Sequence, residues 1–124
     1  MKTHLRDSRD FQRVYKTGKR YEGSHLTAFA LPNECGYHRL GITASKKALG
    51  NAVQRNRAKR LLRETFRLTK ISLDGLQKKY DWVLNGRRTL LLATVNEPIE
   101  EFRKVISAVA TDEVVDSRKN QELA

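Results

Sequence analysis

Residues 45–67 read SKKALGNAVQRNRAKRLLRETFR. Between positions 46 and 67 this stretch holds eight Lys or Arg (46, 47, 55, 57, 59, 60, 63 and 67) against one acid, Glu64. That is +7 of the chain's formal +11, carried by 22 of its 124 residues. Charge packed this densely opposes folding, because like charges repel in the compact state. A polyanion that neutralises it reverses the balance, and phosphate is the polyanion that fits.

The same residues are patterned as a helix, expected from about position 51 to 70. With Val53 set at 0° and about 100° per residue, Ala58, Leu61, Leu62, Thr65 and Phe66 fall between roughly 80° and 220°. Asn56, Arg57, Lys59, Arg60, Arg63 and Arg67 fill the opposing arc. One face is built to pack, and the other is a stripe of guanidinium groups. Glu64 stands four residues after Arg60 and three before Arg67, where it can hold their geometry. A merely solvated face would mix signs. The one-sided charge, and the excess of Arg over Lys, suit bidentate contact with phosphate. Upstream, Gly41 and Gly50 bracket Lys46 and Lys47 at a turn where backbone N–H groups and ammonium groups can hold an anion.

Outward from this helix the chain alternates strands and helices. Asp7 or Ser8 can cap a first helix, on which Phe11, Val14 and Tyr15 share a face, and Gly18 ends it. Residues 25–31 (HLTAFAL) and 39–45 (RLGITAS) read as strands, with a turn over 32–36 and a short strand near 19–22. Residues 81–85 (DWVLN) read as a buried strand that Gly86, Arg87 and Arg88 leave. A last helix starts near Asn96, with Pro98 in its first turn. Ile99, Phe102, Ile106 and Val109 then form its core face. From Asp112 the chain is polar, with four acids against two bases, and is expected to fray. The expected organisation is one domain over 1–111, an α+β sandwich of a small sheet and packed helices, with a polar tail over 112–124.

Composition narrows the function. A chain that is 39% hydrophobic and 31% charged is a folded, heavily charged protein, and a pI of about 10.2 makes nucleic acid the default partner. Cys35 is alone, so neither a disulfide nor a cysteine metal site can form, and a reducing compartment is indicated. The polar N-terminus lacks a signal-peptide core, and the longest apolar run, LLLA at 90–93, is far too short for a bilayer. A cytoplasmic protein is expected. His4, His25 and His38 are scattered and form no acid–base pair. Asp7 and Asp10 are capping candidates, and Asp112, Glu113 and Asp116 lie in the tail, so no carboxylate cluster offers a two-metal site. No catalytic residues are expected in this chain.

The motifs RLGITASKK (39–47), GNAV (50–53) and RNR (55–57), followed by Lys59, Arg60, Arg63 and Glu64, closely resemble the protein subunit of bacterial ribonuclease P. So do DFQRVYKTG (10–18) and DWV (81–83) with Arg87, and the resemblance fades after about residue 110. It implies a four-stranded sheet with three helices and a left-handed βαβ crossover, as in a ribosomal-protein domain and a domain of elongation factor G. That hand runs against the usual preference. It implies a catalytic ribonuclease P RNA as partner and precursor tRNA as substrate, with the RNA and Mg²⁺ performing the cleavage that removes the 5′ leader. No membrane and no protein homo-oligomer is implied. Carried over by position, Lys46, Lys47, Arg55, Asn56, Arg57, Lys59, Arg60, Arg63 and Arg67 would contact the RNA subunit. Phe11, Tyr15, Lys16 and Phe29 would receive the single-stranded leader, whose bases can stack on aromatic rings. Phe11 and Tyr15 could equally anchor the first helix to the sheet. The chain departs from the family at Ala44, where Val is more usual, and at Asn85 and Gly86, where an apolar residue and Ala usually precede Arg87.

Two other readings compete. A ribosomal protein of related fold would bind RNA without a substrate. A helix-turn-helix DNA reader would need a helix where the sequence places strands.

Overall fold

The computed structural model describes residues 3–123, with side chains through position 119. Met1 and Lys2 of the polar N-terminus, and Ala124 of the expected tail, lie outside the described residues. Helix α1 (Ser8–Thr17) starts where Asp7 accepts the Arg9 backbone N–H at 2.9 Å and stops at Gly18. The Gly18 N–H donates to the Val14 carbonyl, which a Cβ at position 18 would approach to 2.5 Å. Strands β1 (Lys19–Glu22) and β2 (Leu26–Asn33) then form a hairpin, and β3 (Arg39–Thr43) follows. The chain continues through α2 (Lys46–Leu49), α3 (Ala52–Leu68) and α4 (Lys70–Asp74) to β4 (Lys79–Gly86). A 3₁₀ turn (Arg88–Leu92) leads into α5 (Asn96–Leu123).

The sheet order is β1-β2-β4-β3. β2 pairs antiparallel with β4, from Leu26 opposite Gly86 to Asn33 opposite Lys79, whereas β3 pairs parallel with β4. A parallel pair needs a long crossover, and α2, α3 and α4 supply it.

Several boundaries differ from the sequence expectation. The basic helix closes at Leu68 rather than 70, because the Thr69 hydroxyl bonds back to the carbonyls of Thr65 and Phe66 and the chain turns into α4. Strand β2 runs on through Pro32 and Asn33, which were expected in the turn; β1 pairing stops at Ala30, so one side of Pro32 has no strand to bond. Beside the three long helices stand two short ones and the 3₁₀ turn.

The largest correction is the tail, which is helical to Leu123. The buried Glu113 carboxylate accepts the backbone N–H groups of Gln77 and Lys78 at 2.9 and 3.0 Å and the Tyr80 hydroxyl at 2.6 Å. Asp112 accepts Lys19 Nζ at 2.6 Å and the Tyr21 hydroxyl at 2.7 Å. Position 112 is therefore a docking point rather than a boundary. Burial and these carboxylates push both tyrosine pKa values well above the phenol range.

Alternation along β4 divides the molecule. Trp82 and Leu84 face α3 and α5, in a core with Leu26, Ala28, Leu62, Phe102 and Ile106. Val83 faces the opposite side, where Leu5, Val14, Phe11, Phe29 and Leu31 pack beneath α1. On that second side lies Asp81, completely buried. It accepts two bonds from Arg39, at 2.7 and 2.6 Å, one from Arg13 of α1 at 2.8 Å and one from Asn33 at 2.8 Å. Burial alone would raise its pKa, but the bonds from Arg39 and Asn33, the Arg39 charge and the Arg13 bond outweigh burial and hold it below the usual carboxylate range.

A depressed folded pKa means that this contribution is complete above the unfolded value of about 4 and is lost as pH falls through the lower folded value. Asp81→Asn should lower the unfolding free energy at pH 7 by roughly 3 kcal/mol, the half-exposed Arg13 supplying the smaller share. Urea denaturation at a series of pH values checks this: the gap between the two proteins should close in acid.

Candidate nucleic-acid interface

Helix α3 begins with a reciprocal cap. Asn51 Oδ1 accepts the Gln54 backbone N–H at 2.9 Å, and Gln54 Oε1 accepts the Asn51 N–H at 3.4 Å. Its inner face buries Ala58, Leu62 and Thr65, and Phe66 lies 6.1 Å from the Phe102 ring of α5. Asn56, Arg57, Arg60, Arg63 and Arg67 are exposed along the outer face. Glu64 pairs with Arg67 rather than Arg60. Among the described residues Arg57, Arg60 and Arg63 meet no carboxylate, so their charge is directed to solvent.

Two expected members of the stripe sit differently. Arg55 and Lys59 are half-buried, and Arg55 Nε is sealed from solvent without a partner among the described residues. The helical wheel contains this signal, since Arg55 falls at about 200°, inside the apolar arc. Lys46 and Lys47 are exposed on α2, whose first turn is capped by Ser45 Oγ accepting the Ala48 N–H at 3.1 Å. Gly50, at φ +87°, turns the chain from α2 into α3, a conformation that favours glycine. This four-residue α2 occupies the place where a turn was expected. It is too short to serve as the first helix of a helix-turn-helix.

Arg88 was missed by the sequence reading. It lies against Gln54, Arg57, Leu91 and Leu92 around a hollow of about 360 Å³, and beside Lys47 and Gly50 in a second of about 190 Å³. The 3₁₀ turn therefore adds a cation to the basic surface from a segment more than 30 positions away in the chain. Sequence distance concealed this.

The aromatic set assembles on the other side of the sheet. Tyr15, on the outer part of α1, stands edge-on to Phe29 of β2, with ring centroids 4.9 Å apart and planes at 88°. Its hydroxyl donates to Asn85 Oδ1 at 2.9 Å. The Arg20 guanidinium lies 6.0 Å from the Phe29 centroid. Phe11 is one turn back, with its ring on Gly41; a Cβ there would sit 2.7 Å from two ring carbons. Phe11 is thus half-buried against β3, while Tyr15 remains 38% exposed and Lys16 is exposed. The two candidate surfaces lie on opposite faces of the sheet, and β3 links them, since it carries Thr43 on one and leads into Lys46 on the other.

The three histidines have structural surroundings. His38 Nδ1 accepts the Tyr80 backbone N–H at 3.1 Å and the Trp82 indole N–H at 3.2 Å, and its Nε2–H donates to the Leu73 carbonyl at 3.1 Å. Burial lowers its pKa, in keeping with a neutral ring. His4 lies where the N-terminal segment bridges to Leu40, and burial, then nearby positive charge including Arg6 and Arg63, lowers its pKa. His25 Nδ1 meets only the Thr89 hydroxyl, at 3.1 Å.

A basic helix on one face of a four-stranded α+β sandwich, with a partly exposed aromatic pair on the other, is the layout of an RNA-binding protein. The ribonuclease P family profile matches residues 1–110. The ribonuclease P protein component of Clostridioides difficile is 44% identical over 103 residues, covering 82% of this chain and 87% of the relative. That of Clostridium botulinum strain Langeland is 40% identical over 86 residues, 68% and 74% of the two chains. Among solved structures, the Staphylococcus aureus RNase P protein superposes with a TM-score of 0.72 at 31% identity, covering 86% of this chain and 94% of that one. The Thermotoga maritima RNase P protein gives 0.71 at 30%, over 83% and 94%. The chain belongs to the ribonuclease P protein family, and with it to an endoribonuclease holoenzyme of tRNA processing that includes an RNA partner.

Charge reversal on the exposed stripe, Arg57→Glu with Arg60→Glu, should leave folding stability within about 0.5 kcal/mol of wild type. It should weaken RNA binding and reduce the slope of log K against log salt by roughly 1–2. Filter binding across a salt series measures this; an unchanged slope would remove the stripe from the interface.

Proposed function

We propose that this chain binds a catalytic ribonuclease P RNA through Lys46, Lys47, Arg55, Asn56, Arg57, Lys59, Arg60, Arg63 and Arg67, and the 5′ leader of precursor tRNA through Phe11, Tyr15, Lys16 and Phe29. The reading is carried by one observation: an exposed row of arginines on a rigid helix, without carboxylate partners for Arg57, Arg60 and Arg63. Such a row neutralises phosphate that must be brought together, and Arg55 and Lys59, at the edge of the packed face, extend it toward the sheet. An A-form major groove is too narrow for a helix to enter, so binding goes by backbone shape and by unpaired segments.

In this reading the cleavage chemistry belongs to the RNA, and Mg²⁺ supplies charge stabilisation at the phosphate when bound. Among the described residues no three His, Cys, Asp or Glu side chains come together at metal-binding spacing. The protein contributes charge neutralisation and a hold on the leader, favouring precursor over the leaderless product. The substrate places its work in the cytoplasm. No described helix is long and apolar enough to cross a membrane.

Adding this chain to the RNA subunit should stimulate cleavage of precursor tRNA at low Mg²⁺; no stimulation would sink the reading. Tyr15→Ala should weaken precursor binding by about 1–3 kcal/mol, the worth of one stacked base. Mature tRNA should bind as before. Equal losses for the two RNAs would make Tyr15 an anchor of α1 only.

A further inference from the structure

We propose that Asn85 reads the identity of one leader nucleotide, as a hydrogen-bond donor held on the sheet beside Tyr15. The inference rests on the leader-binding reading above and assigns its specificity determinant.

Asn85 ends β4 on the α1 side of the sheet. Its register partners are Thr27 on β2 and Thr43 on β3, so a polar row crosses three strands where the neighbouring row, Phe29, Val83 and Gly41, carries no polar side chain. A half-buried amide in a sheet is costly unless bonded. Here the carbonyl oxygen accepts two bonds, from the Tyr15 hydroxyl at 2.9 Å and from the Thr43 hydroxyl. An amide oxygen has two lone pairs, so its acceptor capacity is filled. With the amide so placed, both hydroxyls lie on its oxygen side and Nδ2 lies away from them.

The Nδ2 group is left with both of its protons. It bonds to no described residue, and it is absent from the polar atoms sealed away from solvent. Tyr15 is 38% exposed, and its own hydroxyl touches Asn85. A base stacked on the Tyr15 ring therefore brings its edge within reach of Nδ2.

An amide with both lone pairs engaged presents donors only. The usual bidentate pairing of Asn with adenine needs the amide oxygen as an acceptor, and that route is closed. Guanine offers adjacent acceptors at O6 and N7, and cytosine at O2 and N3. On its Watson–Crick and Hoogsteen edges adenine sets an amino group beside N1 or N7, and on its Watson–Crick edge uracil sets an N–H between its carbonyls, so on those edges both place a donor against a donor. Guanine or cytosine is favoured at the contacted position, and unpaired RNA exposes those edges.

The test uses the reconstituted holoenzyme and a panel of precursor tRNAs that differ at single leader positions, with mature tRNA as reference. The wild type should favour G or C at one leader position by about fivefold, the worth of one net hydrogen bond. Asn85→Leu should flatten that preference while precursor still binds more tightly than mature tRNA. Asn85→Asp, which replaces the unengaged donor with an acceptor, should shift the preference toward A or U. Tyr15→Phe removes one hydroxyl that engages the amide oxygen and should weaken the preference, and thermal melting establishes that each variant is folded. If the wild-type profile is flat, or Asn85→Leu keeps the wild-type profile, the assignment to Asn85 is overturned and leader binding stands. If precursor and mature tRNA bind wild type equally, the leader reading falls and this inference with it.

Discussion

The parallel pairing of β3 with β4 is the constraint on which the rest of the molecule depends. Two parallel neighbours cannot be joined by a tight turn, so the chain must leave the end of β3, cross a face of the sheet and return to the start of β4. The 17 residues of α3, about 25 Å of helix, make most of that crossing. The basic helix is thus the connection that closes the sheet, and its inner face must be apolar. Arg57, Arg60, Arg63 and Arg67 are confined to the outer face because Ala58, Leu62 and Thr65 occupy the inner one, and Arg55 sits half-buried at its edge.

The two sheet faces then take different tasks. One, beneath α3 and α5, is a continuous apolar core around Trp82 and Phe102. The other is covered only in part, by α1, and stays polar at one end. There Thr27, Asn85 and Thr43 line up across the strands, and Tyr15 leans over them. A sheet covered on one face by two helices and on the other by one has room for a groove on the second. Asp81 secures the single helix by joining Arg13 of α1 to Arg39 of β3 through one carboxylate.

Acidic residues do the internal fastening, while most of the basic ones stay outside. Asp81, Glu101 and Glu113 each accept several bonds from groups far away in sequence: Glu101 takes the backbone N–H groups of His25 and Leu26, and Glu113 joins α5 to the segment before β4. These are three of the chain's 14 acids, and the others are outnumbered at the surface by its 25 Lys and Arg. The +11 excess is expressed outside, where a polyanion can meet it.

Local pattern alone determined α1 with its Asp7 cap and Gly18 stop, the order of strands and helices, and the division of residues 51–70 into a packing face and an arginine face. Each of these follows from periodicity within a few turns of chain. The tertiary structure alone decided that Arg88 joins the basic surface and that the acidic end docks through Asp112 and Glu113. It also turned Asn85 from a misplaced polar residue into one held by Tyr15 and Thr43, 70 and 42 positions away. Most of these depend on side chains meeting across the sheet or between helices distant in sequence. No periodicity within a single segment records such meetings, because they exist only once the strands are in register.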